Sequence, residues 1–276
     1  MSRVEIRLAS PEPGLLVIDN SRNTLTLCVS DLHIGYEREL AAKGYTIPSQ
    51  TERMAARLLT LIEKWDVDHL CLLGDVKHAV AELPMAEWAE VPTFFEKISA
   101  AVKRVDVYPG NHDGGLKELT PRNVVFHPVS GGTIYGGRVA LQHGHAWPTP
   151  EMLRCEYFIL GHHHPVVELE DAMRNVVRLN VWLMGRWNRE EVRRRMEGHL
   201  ARTGKKAKAL RPGNPRIVIL PSFNPLVPGR VVNVESWRPA SPILKAGCFS
   251  EDQIQVFTLD GTFLDHLPRL RRAGPA

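Results

Sequence analysis

The sequence predicts an α/β protein, a β-sandwich flanked by helices, on three observations. Apolar runs of strand length alternate with amphipathic helical stretches through the first half. Short strands joined by tight turns fill the second half. Five of the apolar runs close on a cluster of Asp, Asn or His, at the carboxyl end of a strand, where open α/β sheets place their sites.

In order, residues 15–18 and 25–29 form a hairpin around Asn20 to Asn23, and the second strand ends in Ser30-Asp31-Leu32-His33. A polar stretch runs to Pro48. Ser49 and Glu52 then make a capping box, opening a helix with Met54, Leu58, Leu61, Ile62 and Trp65 at helical spacing. His69 to Leu73 is a strand ending in Gly74-Asp75-Val76-Lys77-His78. Glu82 to Glu90 is a partly helical connection, and Pro92 opens a second helix with Phe94, Phe95, Ile98 and Val102 inward. Val105 to Tyr108 delivers Asn111, His112 and Asp113. Short strands follow at 124–126, 132–135 and 138–141, the last two turned by Gly136-Gly137, and the third delivers His143 and His145. Tyr157 to Leu160 leads to His162, His163 and His164. Beyond them lie a strand over 177–184 and a helix boxed by Asn188 and Glu191, with Val192, Met196 and Leu200 on one face and Gly204 past its end. A return strand at 216–220, a proline-rich turn from Pro221 to Gly229 and a hairpin over 255–267 close the chain.

The 276 residues, 43% apolar, are ample for a core, and no internal repeat is visible. Met1 to Leu8 alternate charge with single apolar residues, unlike a signal peptide, and no run approaches the roughly 18 apolar residues of a membrane span. Cys28, Cys71, Cys155 and Cys248 are far apart and mostly within strands, as suits free thiols in a reducing, cytoplasmic setting. The net charge of +4 is uneven: the segment from Arg186 to Arg211 carries +7 and the remainder −3. The organisation expected is one domain, 1–276, with a basic insertion at about 185–212.

Carboxylates, imidazoles and one amide in this pattern suit Mn²⁺, Fe or Zn²⁺ better than Ca²⁺, which takes oxygen ligands. Asp31 and His33 are two apart, as are His162 and His164, so each pair can reach one ion from a strand terminus while His163 faces elsewhere. Asp75 and Asn111, from neighbouring strands, sit between or beside two ions. Such a pair of ions activates water and holds phosphate oxygens.

The ordered set Asp-x-His, Gly-Asp, Gly-Asn-His-Asp, His-Gly-His and Gly-His-x-His, over residues 31–164, resembles the calcineurin-like metallophosphoesterase superfamily. The resemblance implies a two-sheet sandwich flanked by helices, and a binuclear centre that is commonly manganese, with iron, zinc or nickel as alternatives. It implies Asp31, His33 and His164 on one metal, Asn111, His143 and His162 on the other, and Asp75 bridging. His112 would act on the phosphate, supported electrostatically by Asp113. His78, three after Asp75, gives a Gly-Asp-x-x-His form similar to the nuclease subunit of SbcCD-type repair complexes. The Ser-Asp-Leu-His-Ile-Gly-Tyr-Glu and Pro-Ser-Phe-Asn-Pro stretches resemble the short archaeal and bacterial relatives of that subunit, the DNA-ligase-associated phosphoesterases among them. About 100 residues follow His164, too few for a full DNA-capping domain.

The activity expected is that of a phosphodiesterase on nucleic acid or a nucleotide, with His78 able to protonate the leaving oxygen. The alternatives are a nucleotide or small-molecule phosphomonoesterase and, from another class, a binding module without chemistry. Arg189, Arg193, Arg194, Arg195, Lys205 and Lys206 are the candidate DNA or RNA contacts, weighed against an ordinary solvated face. Trp182 and Trp187 read as packing residues before base-stacking ones, and His69, His127, His199 and His266 as solvated or core histidines. Tyr36 and Glu37 are weighed as site-edge residues against an ordinary structural role, and His145 as a support of the site against plain loop polarity.

Overall fold

A computed structural model describes residues 4–80, 85–171, 173–204, 210, 212–245 and 248–273. Its first sheet has six strands in chain order: β1 (Val4–Leu8), β2 (Leu15–Asp19), β3 (Thr24–Val29), β4 (His69–Leu72), β5 (Arg104–Val107) and β6 (Val125–Phe126). β1 to β3 form an antiparallel meander, and β3 to β6 run parallel. Parallel neighbours need crossovers. Helices α1 (Glu37–Ala42) and α2 (Thr51–Trp65) supply the first, and α3 (Met85–Ala101) the second.

The second sheet contains β7 (Gly132–Ile134), β8 (Val139–Gln142), β9 (Tyr157–Leu160), β10 (Pro165–Glu170), β11 (Val176–Gly185), β12 (Arg216–Ile219) and β13 (Arg230–Val231), ordered β13-β10-β11-β12-β9-β8-β7. The hairpin β14 (Gln255–Thr258) and β15 (Phe263–His266) joins through β11. Helix α4 (Arg189–Arg202) connects the antiparallel neighbours β11 and β12, and α5 (Leu267–Ala273) follows β15.

Side-chain alternation explains the layering. Along β3 and β4, Leu27, Val29, Leu70 and Leu72 face the helices and pack with Met54, Leu58, Phe94, Phe95 and Ile98. Their neighbours Cys28, Cys71 and Leu73 face the other sheet, meeting Val139, Leu141, Ile159, Trp182 and Val218. Along β12, Val218 and Leu220 point into that interface while Ile217 and Ile219 pack outward against Val192 and Met196 of α4. Strands buried on both faces have no polar face to show, hence their unbroken apolar runs.

Two helix starts differ from the sequence expectation. Ser49 is not the N-cap of α2, which is Gln50 without a side-chain bond; Ser49 Oγ still accepts the Thr51 amide (3.3 Å), but the box is not completed because tertiary partners take over. The buried Glu37 accepts the Gln50 amide (2.8 Å), Ser49 Oγ reaches Glu90 (2.7 Å), and Glu52 pairs with Lys97. Pro92 lies inside α3 and does not open it. The buried Val91, Phe94, Phe95 and Ile98 keep the helix on the sheet past the lost hydrogen bond. The strands β1, β10 and β13 and the short α1 were not expected. The polar connection expected over 82–90 falls partly outside the described residues. Asn188 does cap α4, accepting the amides of Glu190 and Glu191, but Glu191 turns to Arg194 and Arg195 and does not complete a box.

Candidate metal centre

β3, β4 and β5 run parallel in one sheet and β9 is parallel to β8 and β12 in the other; the segments following them meet at one end of the sandwich. The links between sheets are local and dense. His143 Nδ1 bonds the Leu73 carbonyl (2.8 Å), the His162 amide donates to the Asp31 carboxylate (3.1 Å), and the Phe223 amide donates to the Ser30 carbonyl (2.9 Å). Gly161 is required by proximity: a Cβ there would stand 1.7 Å from Ser30 Oγ and 2.8 Å from Asp31 Oδ2.

Asp31, His33, Asp75, His162 and His164 all have positive φ, between 42° and 71°. This left-handed conformation is disfavoured for residues with a Cβ, and it persists only where the surroundings over-determine it, as at functional sites. Here it lets residues two apart, Asp31 with His33 and His162 with His164, approach one centre.

Three donor clusters result here, among the described residues. Asp31, His33, Asp75 and His164 form the first, Asp75, His143 and His162 the second, and His33, His78 and His112 the third; within each, the candidate donor atoms lie within 4.8 Å of one another. Asp75 belongs to the first two. Its Oδ2 is 3.6 Å from His33 Nε2, 3.2 Å from His143 Nε2 and 3.9 Å from His112 Nε2.

Ion binding is supported by the polar atoms left without partners. His33 Nε2 and His164 Nε2 are buried without a hydrogen bond among the described residues. His164 Nε2 is 2.9 Å from Asp31 Oδ1 yet lacks hydrogen-bond alignment, as two ligands of one ion would. Burial holds the His33 and His162 imidazoles down at about 3, so they are neutral and can donate a lone pair. Burial is the strongest single influence and opposes the Asp75 charge, but the His143 hydrogen bond and the electrostatic attraction of His143 and His33 together outweigh it and bring the carboxyl to about 2. The same bond, with the charges of Asp75 and Asp31, overcomes burial at His143 and raises it to about 9. The donor set of carboxylates and imidazoles fits a first-row divalent ion.

The remaining candidates divide by position. His112 Nδ1 bonds the His78 carbonyl (2.5 Å), which places its proton on Nδ1 and leaves Nε2 toward Asp75. Asn111 is exposed on the turn beside it. The buried Asp113 accepts the amides of Val76 (2.8 Å), Lys77 (3.3 Å) and Gly110 (2.8 Å), tying the loop after β4 to the loop after β5; the His112 ring bonds elsewhere. Both ring nitrogens of His78 have partners, Glu39 at 2.9 Å and His33 at 3.3 Å. His163 faces away as expected, bonding Gly161 and Ser241. His145 borders the second cluster, its ring 5.3 Å from His143. Tyr36 packs on His78, and Glu37 serves α2.

The Pro-Ser-Phe-Asn-Pro stretch was singled out in the sequence only as a resemblance, without a role for the groups in it that hold this frame. Ser222 Oγ donates to the Asp31 carbonyl (2.8 Å), and Asn224 Nδ2 to that of Leu32 (2.8 Å). Polar residues between prolines at the end of an apolar strand were their available signal. Glu39 had none, because α1 shows no helical pattern.

Another group, His69, Cys71 and Asp106, also clusters, but its nitrogens are satisfied. His69 meets Thr26 and Cys71, and Asp106 accepts from Arg104 (2.6 and 2.9 Å) and His127 (2.8 Å). That is a structural network. All four cysteines are free and buried. On α4, Arg193 pairs with Glu190, and Arg194 and Arg195 with Glu191; Lys205 and Lys206 lie outside the described residues. Among the described residues, no helix is long and apolar enough to cross a membrane.

No protein-family profile and no curated protein matches this chain. Among solved structures, it is similar to the nuclease MPE of Pseudomonas putida, with 19% identity over 95% of this chain and 100% of that chain and a TM-score of 0.52. The chain has the metallophosphoesterase fold. A phosphoesterase from E. coli, Yfce, aligns at 16% identity over 87% of this chain and 96% of that chain, with a TM-score of 0.37.

Proposed function

We propose that the protein is a metal-dependent phosphodiesterase acting on a nucleic acid or nucleotide, with two divalent ions, manganese foremost, sharing Asp75. The observation that carries this reading is one carboxylate common to two clusters of imidazoles, two of which, His33 and His164, keep a buried Nε2 without a hydrogen bond among the described residues. The fold neighbour from P. putida is itself a nuclease, which agrees with a phosphodiester substrate. Asp31, His33 and His164 would hold one ion, and Asn111, His143 and His162 the other. Bound divalent ions lower the pKa of water and neutralise phosphate charge.

The chain's own residues do the rest. The strand-end frame fixes the donors before substrate arrives, so no reorganisation is left for the reaction. His112, oriented by its Nδ1–H bond to the His78 carbonyl, would donate from Nε2 to a phosphate oxygen developing charge when both of its ring nitrogens carry protons. Asp113 keeps the Asp75 and Asn111 loops in register. Arg189, Arg193, Arg194 and Arg195 of α4, with Lys205 and Lys206, are the proposed contacts to the nucleic-acid backbone. The ion pairs of three of these arginines favour a second reading, a nucleotide or small phosphomonoester substrate needing no extended groove.

The test is Mn²⁺-dependent hydrolysis of bis-(p-nitrophenyl) phosphate beside p-nitrophenyl phosphate. The expected result is diester cleavage that falls by about 10²-fold or more in His112→Ala. Monoester cleavage alone would move the assignment to the second reading. Absence of both, with two ions bound, would overturn it.

A further inference from the structure

Each neutral imidazole has one N–H and one lone pair, so a chain of them has a direction. His33 leaves Nε2 without a partner, facing Asp75 in the first donor cluster, and its Nδ1 lies 3.3 Å from His78 Nδ1. If Nε2 is to donate a lone pair to an ion, the His33 proton must sit on Nδ1. His78 Nδ1 must then accept it, which requires the His78 proton on Nε2. That nitrogen lies 2.9 Å from Glu39 Oε2, an obligate acceptor when ionised. Lys43, one turn along, bonds the same Glu39 carboxylate at 2.5 Å. With both rings neutral and His33 Nε2 given to an ion, only this proton arrangement satisfies every member.

We infer that Glu39 and His78 form a relay that fixes the tautomer and orientation of His33 for the first metal, so that both act as positioning residues. The inference rests on the metal assignment of His33, and it replaces proton donation to the leaving group as the role of His78. Packing supports it. The His78 ring is held between Tyr36, edge-on at 5.0 Å, and His112, stacked at 5.4 Å, so it has little freedom to turn toward substrate. Metal-bound histidines commonly pass their second N–H to a carboxylate or carbonyl, and losing that partner costs about 10- to 100-fold in metal affinity. Here the carboxylate acts one imidazole further out. The arrangement also separates two duties of residue 78: its ring serves His33 and its carbonyl serves His112.

The experiment is calorimetric titration of the full-length apo-protein with Mn²⁺, for the wild type, Glu39→Ala, Glu39→Gln, His78→Ala and His33→Ala. Apo-protein melting and long-range ¹H–¹⁵N spectra of the imidazoles accompany it. Glu39→Ala is expected to weaken one of two Mn²⁺ sites by about 10- to 100-fold, leaving the other and the apo melting temperature unchanged. Glu39→Gln should recover part of that loss, since its amide oxygen still accepts from Nε2–H. His78→Ala should weaken the same site. In the spectra, His78 should be the Nε2–H tautomer and His33 the Nδ1–H tautomer, and Glu39→Ala should remove the preference. Wild-type Mn²⁺ affinities in Glu39→Ala and His78→Ala, with one site lost in His33→Ala, would overturn the relay while sparing the metal reading. Two undiminished sites in His33→Ala would overturn the assignment beneath both.

Discussion

Replacing Gly161 by alanine tests whether the donor frame is as tight as its distances say. The new Cβ would lie 1.7 Å from Ser30 Oγ, 2.7 Å from Ser30 Cβ and 2.8 Å from Asp31 Oδ2, where contacts under 3.0 Å are essentially never seen. Relieving the shortest one needs a displacement of about 1.3 Å. Ser30 cannot simply rotate away, because its hydroxyl lies between the Asp31 carboxylate (2.6 Å) and the Leu73 carbonyl (2.8 Å), and the residue is fully buried. The shift therefore falls on the loops carrying Asp31 on one side and His162 and His164 on the other. Ligand distances tolerate only about 0.2 Å. The expected loss is at least about 100-fold in Mn²⁺ affinity at the first site, with about 1–3 kcal/mol of apo-protein stability lost to overpacking.

Calorimetric titration with Mn²⁺ and urea unfolding in EDTA measure the two quantities. Gly198→Ala is the internal control: it lies within α4, its nearest neighbour to a new Cβ is Arg202 Nη1 at 3.6 Å, and the change should stabilise by about 0.5–1 kcal/mol. Adding Ser30→Gly to Gly161→Ala removes two of the three short contacts and should restore part of the metal affinity. Wild-type binding of two Mn²⁺ ions by Gly161→Ala would refute the reasoning that this junction sets the geometry.

Asp75→Asn should weaken both Mn²⁺ sites and Asp31→Asn only one; the same single-site loss in both variants would show that Asp75 is not shared. Asp113→Ala leaves three backbone amides without their acceptor and should cost about 3 kcal/mol or more in urea unfolding, with Asp113→Asn recovering part. Burial works to raise the Asp106 carboxyl, but hydrogen bonds from His127, His69 and Arg104 outweigh it and hold the group well below the usual range. Its contribution is therefore fully present above the unfolded value of about 3.9 and is lost as pH falls through the lower folded one. Asp106→Asn should lose about 2–4 kcal/mol at pH 7 and show a shallower acid-side decline in a pH series of unfolding curves. Asn188→Ala should cost about 1 kcal/mol through the lost N-cap of α4, read by the same unfolding assay.

What the sequence revealed and what it concealed follow from how local each signal is. The strands β3, β4, β5, β8, β9 and β12 were legible because they are buried on both faces and punctuated by turns. Edge strands are a different case. In β1 the alternation of Val4, Ile6 and Leu8 with Glu5 and Arg7 is a half-buried edge pattern, but it was weighed only as a leader. Ser49 and Glu52 have a capping box's spacing, yet their partners come from α1 and α3, and no local rule contains Glu37, Glu90 or Lys97. The donors themselves sit at strand ends and announce themselves by residue type. Ser222, Asn224 and Glu39 act on them through hydrogen bonds spanning dozens to nearly two hundred residues, and such partners are set by topology alone.

Two His- and Asp-containing groups among the described residues, one in the sheet and one at the strand ends, show why residue type alone does not decide function. His69, Cys71, Asp106 and His127 have the composition of a metal site, yet Asp106 is filled by Arg104 and His127, and His69 bonds Thr26 and Cys71. Nothing there is left asking for a ligand, and its members have ordinary negative φ. At the other cluster, imidazole nitrogens are buried without partners, and five residues hold left-handed backbone to put them there. A buried polar atom without a partner costs about 1–3 kcal/mol, and each strained residue adds a similar amount. A fold retains such costs when something bound offsets them. The difference in satisfaction between two chemically similar clusters is the reason for proposing metal binding at the strand ends and not in the sheet.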